Sequence, residues 1–217
     1  MLKLVFANRR YSSWSLRGWL AARHSGLPFQ EVLVNLYAED WQARRAQPDI
    51  AIAAGSVPVL WDGDIAVWNG MAIIDWLDAK SGGARLWPAD PAARAFALSA
   101  AMEMQAGFVP LRQNCPMNVM RHYPGFAIAP EAQANIARID WLWLTAIERF
   151  GGPWLGGADF GGADIMYAPI ASRLTTYDAR LSPVADAYRQ RLMAHPLVEE
   201  WVAAAAQETQ LQPKYEF

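Results

Sequence analysis

The sequence predicts an α/β domain followed by an all-helical domain. Segments with the short apolar or alternating pattern of strands occur before residue 82, whereas beyond residue 90 the apolar residues recur at helical spacing. The stretch Gly82–Asp90 between them has the Gly and Pro content of a linker. We therefore expect an α/β domain over residues 1–81, a linker over 82–90 and a helical domain over 91–217.

The α/β domain is predicted to run β-α-β-(α)-β-β-α. Its segments are, in order, Leu2–Ala7, Trp19–Ala22, Phe29–Val34, Trp41–Arg45, Gly55–Trp61, Ile65–Trp68 and Met71–Leu77. Because Pro58 cannot donate to a strand ladder, it belongs at the start or edge of its strand, and Val57–Pro58 is a candidate cis peptide bond. Asp62-Gly63 is a strong hairpin signal, and Asn69 is a good N-cap for the last helix.

The second domain is predicted to contain helices only. Asp90 and Pro91 are a cap and a first helical residue, and they open a long helix that Pro110 and Pro116 should kink or break. The other predicted helices are Pro130–Phe150, Ala163–Tyr177, Pro183–Ala194 and Leu197–Gln207.

Composition narrows the classes of function. With 53% hydrophobic residues, 18% charged residues and a net charge of −2, the chain is globular, and its scattered basic residues predict no nucleic-acid partner. The single Cys115 excludes an intramolecular disulfide and favours a reducing, cytoplasmic location. No apolar run reaches the roughly 18 residues of a membrane span, and the first is too short for a signal peptide. One Cys and the dispersed His24, His122 and His195 show no metal-ligand spacing.

The stretch Tyr11–Leu20 carries the chemistry that can be inferred from the residues alone. Ser12 and Ser13 lie between the first strand and the first helix, where several backbone N–H groups have no intrahelical partner. A serine there can cap the helix, or it can present its hydroxyl beside the positive end of the helix dipole. Both interpretations remain open at this point.

The order of elements, the Val57-Pro58 pair before a hairpin and the helical second half together resemble a cytosolic glutathione transferase. The stretch Tyr11–Arg17 is similar to the Ser-Ser-Cys-Ser-x-Arg pattern of the zeta class, which includes maleylacetoacetate isomerases. In Phe160–Ile165, Asp164 matches the acidic residue of the capping box in the family's helical domain, with Gly161 at the capping position. The resemblance implies a thioredoxin-like first domain that binds glutathione and a helical domain that supplies the electrophile pocket.

Carried over by position, the resemblance assigns the activation of the glutathione thiol to Ser12, with Ser13 as the alternative. It implies that Val57 exchanges backbone hydrogen bonds with the cysteinyl part of glutathione. Asn69 and Gly70 stand where the family usually has an acidic residue and a serine that hold the γ-glutamyl group. Because this departure removes side-chain partners, we expect glutathione to bind more weakly than usual.

The remaining candidates rest on the same resemblance. Arg17 is either near the site or a solvated or core-anchoring charge, and Gln105 could reach a γ-glutamyl amine across a dimer interface or lie on the surface. Met104, Phe108 and Arg112 recur every four residues and should share one face of the long helix, as core residues or as the wall of the electrophile pocket, where Arg112 could bind an acidic electrophile. The other expected site residues are Tyr11 in the substrate pocket and Trp14, Ser56 and Pro58 beside glutathione.

Two classes of function follow from the sequence. The first is a homodimeric glutathione-dependent transferase acting in detoxification, or a zeta-type isomerase, with glutathione as co-substrate and no metal. The second is a non-catalytic binding or regulatory protein of the same fold, which the Asn69-Gly70 departure keeps open. The double serine favours the enzyme.

Overall fold

The computed structural model describes residues 1–83 and 85–217. Its single sheet has four strands, β1 (Leu2–Ala7), β2 (Phe29–Val34), β3 (Val59–Asp62) and β4 (Ile65–Trp68), in the order β2-β1-β3-β4. β1 pairs with β2 in parallel, while the β1–β3 and β3–β4 pairs are antiparallel. β1 lies in the interior of the sheet, so its apolar run is almost completely buried. The strands match the four predicted strand segments, except that β3 begins later, at Val59, and extends one residue further, to Asp62.

The helices of this part are α1 (Ser13–Ser25), α2 (Trp41–Arg45), α3 (Pro48–Ala51) and α4 (Gly70–Lys80). α1 packs against α4 and β1, and Gly18 lets the chain approach closely, since a methyl group there would lie 2.8 Å from Pro58 Cγ. The Val57–Pro58 peptide bond is cis, as the candidate position in the sequence indicates. α3 was not predicted, because four residues carry no measurable periodicity.

The helical part consists of α5 (Pro91–Ala106), α6 (Val109–Asn114), α7 (Pro130–Phe150), α8 (Gly162–Thr176), α9 (Pro183–Met193) and α10 (Pro196–Ala206), followed by a 3₁₀ turn at Pro213–Tyr215. α8 is buried along almost its whole length and packs against α1, α5 and α9. Asp164 anchors its first turn, as expected of a capping box, by accepting a hydrogen bond from the Gly161 N–H at 2.9 Å.

The prediction of one long helix through Met104, Phe108 and Arg112 was wrong in one respect. α5 ends at Ala106, and Phe108 adopts a left-handed conformation with φ 56°. Pro110 then lies in the first turn of α6 instead of interrupting a helix, and Pro116 follows the end of α6. The three residues therefore do not share one helix face.

The buried apolar residues form one main cluster that runs through the sheet, α1, α4 and the helical part. In the predicted linker, Leu86 and Trp87 are fully buried, and the Leu86 N–H donates to Asp78 Oδ1 at 2.7 Å. The division into two domains stays a prediction, and Ala84 of the predicted linker lies outside the described residues. None of the helices that the structure describes has the length and apolarity needed to cross a bilayer.

Candidate functional site

Ser12 caps α1 and at the same time lines a cavity. Its Oγ accepts a hydrogen bond from the Ser15 N–H at 3.3 Å, with φ −86° and ψ 91°, the extended conformation of an N-cap residue. The side chain also borders a cavity of about 230 Å³ together with Ser56 and Val57. The capping interpretation is thus correct, and it leaves the Ser12 hydroxyl at a cavity wall.

Ser15 is the hydrogen-bond partner of the Ser12 hydroxyl. Ser15 is completely buried, its Oγ accepts from the Ala7 N–H at 2.8 Å, and it also accepts from Ser12 Oγ at 2.9 Å. Either hydroxyl can donate in this pair, because a hydroxyl carries one proton and two acceptor sites and rotates to suit its partners. When Ser15 donates to Ser12, the Ser12 proton is free for a ligand in the cavity.

Ser13 lies in different surroundings from Ser12. It is buried, and its Oγ accepts a hydrogen bond from Arg173 Nη2 at 3.4 Å. It borders a separate cavity of about 320 Å³, which is lined by Tyr11, Ser13, Trp14, Val109, Arg112, Gln113, Pro116, Met117, Arg173 and Tyr215. The two serines, which the sequence leaves as alternatives, therefore face different cavities.

A third cavity of about 310 Å³ brings together most of the residues expected to hold glutathione. It is lined by Trp14, Ala53, Ser56, Val57, Pro58, Trp68, Asn69, Gly70 and Gln105. Trp14 borders all three cavities, so they adjoin one another around its ring. The described chain has further cavities near Trp87 and near Phe126, and neither is lined by a predicted site residue.

The backbone of Val57 is exposed to this cavity without a partner. Among the hydrogen bonds of residues 1–83 and 85–217, none involves the Val57 N–H or carbonyl, since β3 begins only at Val59. An unpaired extended residue beside a strand can exchange hydrogen bonds with a peptide-like ligand. This is the geometry that the resemblance implies for the cysteinyl part of glutathione.

Asn69 and Gly70 form the start of α4. Asn69 Oδ1 accepts from the Met71 N–H at 3.1 Å, so this oxygen is already used to cap the helix. Gly70 is buried, yet a methyl group there would meet Met166 Sδ at 3.4 Å and Arg17 Cβ at 3.5 Å, which are ordinary contact distances. The space around position 70 therefore does not by itself require glycine there.

Arg17 is a buried structural cation instead of a cavity residue. Its Nε donates to the Met166 carbonyl at 2.9 Å, its Nη2 lies 3.3 Å from Met104 Sδ, and its guanidinium carbon lies 4.6 Å from the centre of the Trp14 ring. Burial, and then the charges of Arg173 and Arg112, lower the Arg17 pKa from its ordinary value. Arg17 thus packs against the Trp14 ring and stabilises the first turn of α1.

The remaining expected residues are divided between cavity and core. Met104 and Phe108 are buried in the core and line none of the three cavities, whereas Gln105 lines the third cavity, beside Val57 and Asn69 of its own chain. The Tyr11 hydroxyl donates to Glu216 Oε1 at 2.7 Å and accepts from the Gln212 N–H, so it ties down the C-terminal segment.

The sequence did not indicate Ser15, which bonds to Ser12, or Arg173 and Tyr215, which line the cavity beside Ser13. Arg173 is buried in α8, and its Nε donates to the carbonyl of Cys115 at 2.9 Å. No pattern in the sequence singles out Arg173 or Tyr215, because their neighbours in the cavity come from distant elements. Cys115 itself is buried, and burial raises the pKa of its thiol to about 11.

Comparisons with known proteins identify the family. A family model described as the N-terminal domain of glutathione S-transferase matches residues 11–80. Glutathione S-transferase F14 of Arabidopsis thaliana is 30% identical over 188 residues, which cover 82% of this chain and 69% of that protein. The chain belongs to the glutathione S-transferase family.

Solved structures of glutathione transferases share the fold. A homologue from Burkholderia with bound glutathione is 21% identical, covers 94% of this chain and 97% of its own, and has a TM-score of 0.68. A theta-class transferase from Xanthomonas axonopodis with glutathione bound is 20% identical over 93% of this chain and 96% of its own, with a TM-score of 0.66. A diazinon-metabolizing transferase from the silkworm Bombyx mori is 18% identical over 97% of this chain and 100% of its own, with a TM-score of 0.73. The predicted thioredoxin-like domain with a helical second part is thereby confirmed. The zeta subclass is not confirmed.

Proposed function

We propose that this glutathione transferase binds glutathione along Val57 and the start of α4 and uses the Ser12 hydroxyl to stabilise the glutathione thiolate. The observation that carries this proposal is the position of Ser12 on the cavity wall beside Val57, with a rotatable hydroxyl that donates to buried Ser15 Oγ at 2.9 Å and can turn to a ligand instead. Ser13 is engaged by Arg173 and faces the neighbouring cavity. We therefore assign the thiol-activating role to Ser12 alone.

The chemistry requires a thiolate, and a serine hydroxyl can supply it without acting as a nucleophile. A free cysteine thiol has a pKa near 8.5, so only a few per cent is ionised at neutral pH. A hydroxyl donor beside a helix N-terminus stabilises the thiolate and lowers that pKa. The thiolate then attacks the electrophile: the C–S bond forms, and the leaving group departs with its electron pair.

Glutathione has fewer side-chain partners here than the family pattern implies. Val57 offers an unpaired N–H and carbonyl, and the start of α4 offers N–H groups for the γ-glutamyl carboxylate. Gln105 Oε1 is a buried acceptor without a partner among the described residues, and it stands in the same cavity as a candidate for the γ-glutamyl ammonium. Because Asn69 and Gly70 add no charge and no hydroxyl, we expect affinity weaker than micromolar.

A more specific hypothesis for the same site is a zeta-type isomerase, in whose reaction glutathione adds to the substrate and then leaves it.

The alternative to an enzyme is a non-catalytic protein of this fold, and the observation in its favour is the Asn69-Gly70 pair. A homodimeric state, a role in detoxification and a cytoplasmic location remain predictions.

The test combines calorimetry of glutathione binding with the ultraviolet absorbance of bound thiolate, followed against pH. We expect Ser12→Ala to lose the thiolate signal at neutral pH, while Ser13→Ala retains it. Ser12→Gly is the matched second variant, since glycine preserves most of the capping energy and removes only the hydroxyl. Retention of the thiolate signal in both Ser12 variants would refute the assignment. If the wild-type chain fails to bind millimolar glutathione, the non-catalytic alternative replaces the enzyme.

A further inference from the structure

The cavity beside Ser13 contains an unusual concentration of positive charge. It lies between the start of α1, α6, α8 and the C-terminal turn, and two of its lining residues, Arg112 and Arg173, are arginines. The third arginine nearby, Arg17, lies beneath Trp14. Trp14 also lines the two cavities that contain Val57, so this cavity lies beside them.

In the part of the chain that the structure describes, no carboxylate neutralises these arginines. Within residues 1–83 and 85–217, none of the ion pairs involves Arg17, Arg112 or Arg173. Glu216, in the adjoining C-terminal segment, is bound instead by Tyr11, Asn118 and Arg121. Buried charges are normally paired, so a cavity wall with unpaired guanidinium groups indicates a site for an anion from outside the chain.

The two cavity arginines are held in place by neutral groups. Arg173 is 5% exposed, and its guanidinium donates to the Cys115 and Pro169 carbonyls and to Ser13 Oγ. Arg112 donates from Nη1 to the Gly107 carbonyl at 3.3 Å, and its guanidinium carbon lies 5.0 Å from the centre of the Trp14 ring.

These contacts leave N–H donors of the guanidinium groups available, and they make the binding of an anion more favourable. A guanidinium has five N–H donors, and the observed contacts of Arg112 use only one of them. Burial, followed by the charge of Arg112, lowers the pKa of Arg173 to about 10, as expected for two cations that line one cavity. A planar carboxylate bound between them would relieve that repulsion and accept paired hydrogen bonds.

We propose that Arg112 and Arg173 bind a carboxylate of the second substrate, so that this enzyme prefers anionic electrophiles. Ser13 acts as a positioning residue through Arg173, and Trp14 holds Arg112 while forming the wall shared with the glutathione cavity. This inference rests on the proposed function only for the claim that the bound anion is a substrate. The anion site itself is defined by the two arginines.

The first experiment measures binding without chemistry. Calorimetry compares 3-nitrobenzoate with its neutral counterpart 3-nitrobenzamide, on the wild-type chain, on Arg112→Gln and on Arg149→Gln. Arg149 is exposed and lines none of the three cavities, so it is the matched control for loss of one positive charge. We expect the benzoate to bind about tenfold or more tightly than the amide, and Arg112→Gln alone to abolish that preference. Equal binding of the two compounds, or a preference that survives in Arg112→Gln, would overturn the proposal.

The second experiment adds turnover and separates the two proposals. Glutathione thiolate displaces chloride from 4-chloro-3-nitrobenzoate or 4-chloro-3-nitrobenzamide: the C–S bond forms, the C–Cl bond breaks, and chloride leaves with the electron pair. Each kcat/KM is divided by the uncatalysed rate constant, which removes the intrinsic difference in reactivity. We expect Arg112→Gln to reduce the ratio about tenfold more for the benzoate than for the amide. Selective binding without turnover would contradict the proposed function, whereas equal turnover of both compounds would contradict the anion site.

Discussion

Asp164 is expected to be the polar residue whose loss destabilises this fold most clearly. Its carboxylate is buried at the start of α8 and accepts three hydrogen bonds, from the Leu155 N–H at 3.0 Å, the Gly161 N–H at 2.9 Å and the Tyr188 hydroxyl at 2.8 Å. It therefore joins the preceding loop, the cap of α8 and helix α9. Because α8 also carries Arg173, this junction supports the cavity beside the site.

The expected size of the effect follows from these partners. Replacing Asp164 by Ala leaves three donors without an acceptor, at about 1–3 kcal/mol each, or about 3–9 kcal/mol in all. The same substitution removes a buried charge. Burial raises the pKa of Asp164 from 3.8 to about 6 in spite of these hydrogen bonds, so ionisation costs about 3 kcal/mol more in the folded chain than in the unfolded chain. We therefore expect a loss at the lower end of the range, about 3 kcal/mol, which is a large part of the total stability of an ordinary domain.

Urea unfolding at pH 7.5, monitored by tryptophan fluorescence, measures this loss as a change in the free energy of unfolding. Tyr188→Phe removes one of the three donors and should cost only about 0.5–1.5 kcal/mol. Asp159→Ala changes an exposed acidic residue in the same loop and should stay within about 0.5 kcal/mol of the wild type. A loss below about 1 kcal/mol for Asp164→Ala would refute the claim that these hydrogen bonds outweigh the burial of the charge.

Two further predictions concern pH and glutathione affinity. Because folding raises the pKa of Asp164, the folded chain binds the proton of this carboxyl group more tightly than the unfolded chain does. The stability that comes from this protonation is complete below about pH 3.8 and is lost as the pH rises through about 6. The free energy of unfolding of the wild type relative to Asp164→Asn should therefore fall by about 2–3 kcal/mol between pH 4 and 7, and a constant difference would contradict the assignment. Gly70→Ser should tighten glutathione binding about tenfold in calorimetry by adding a donor for the γ-glutamyl carboxylate, at a position where an added Cβ makes ordinary contacts, whereas Gly70→Ala should not. Equal affinities in the two variants would show that the hydroxyl makes no contact.

The elements of this fold could be predicted because their signals are local. Asp90 and Ser182 cap the helices that they precede, Gly151 ends α7 in a left-handed conformation, and Asn69 caps α4. Each depends on the conformation of a few consecutive residues, which the residue types themselves constrain. The double serine at the start of α1 is the same kind of signal, and it marks the segment of the chain that contains the candidate site.

Tertiary structure decided what these local signals leave open. The break between α5 and α6 occurs at Gly107 and Phe108 and not at a proline, because the chain turns there to pack α6 against α7. The direction of each serine was also undetermined, since neighbouring residues at a helix start point into different surroundings: Ser12 turns toward Ser15 and Val57, and Ser13 turns toward Arg173.

The sequence by itself therefore determined the fold, the family and the segment that contains the site. Only the tertiary structure brought Arg112 and Arg173 to one cavity, because they lie on α6 and α8 and meet only when both helices pack around the start of α1. A pattern read along the chain records which residues are neighbours in sequence, whereas the charge of a cavity depends on residues that are neighbours only after folding.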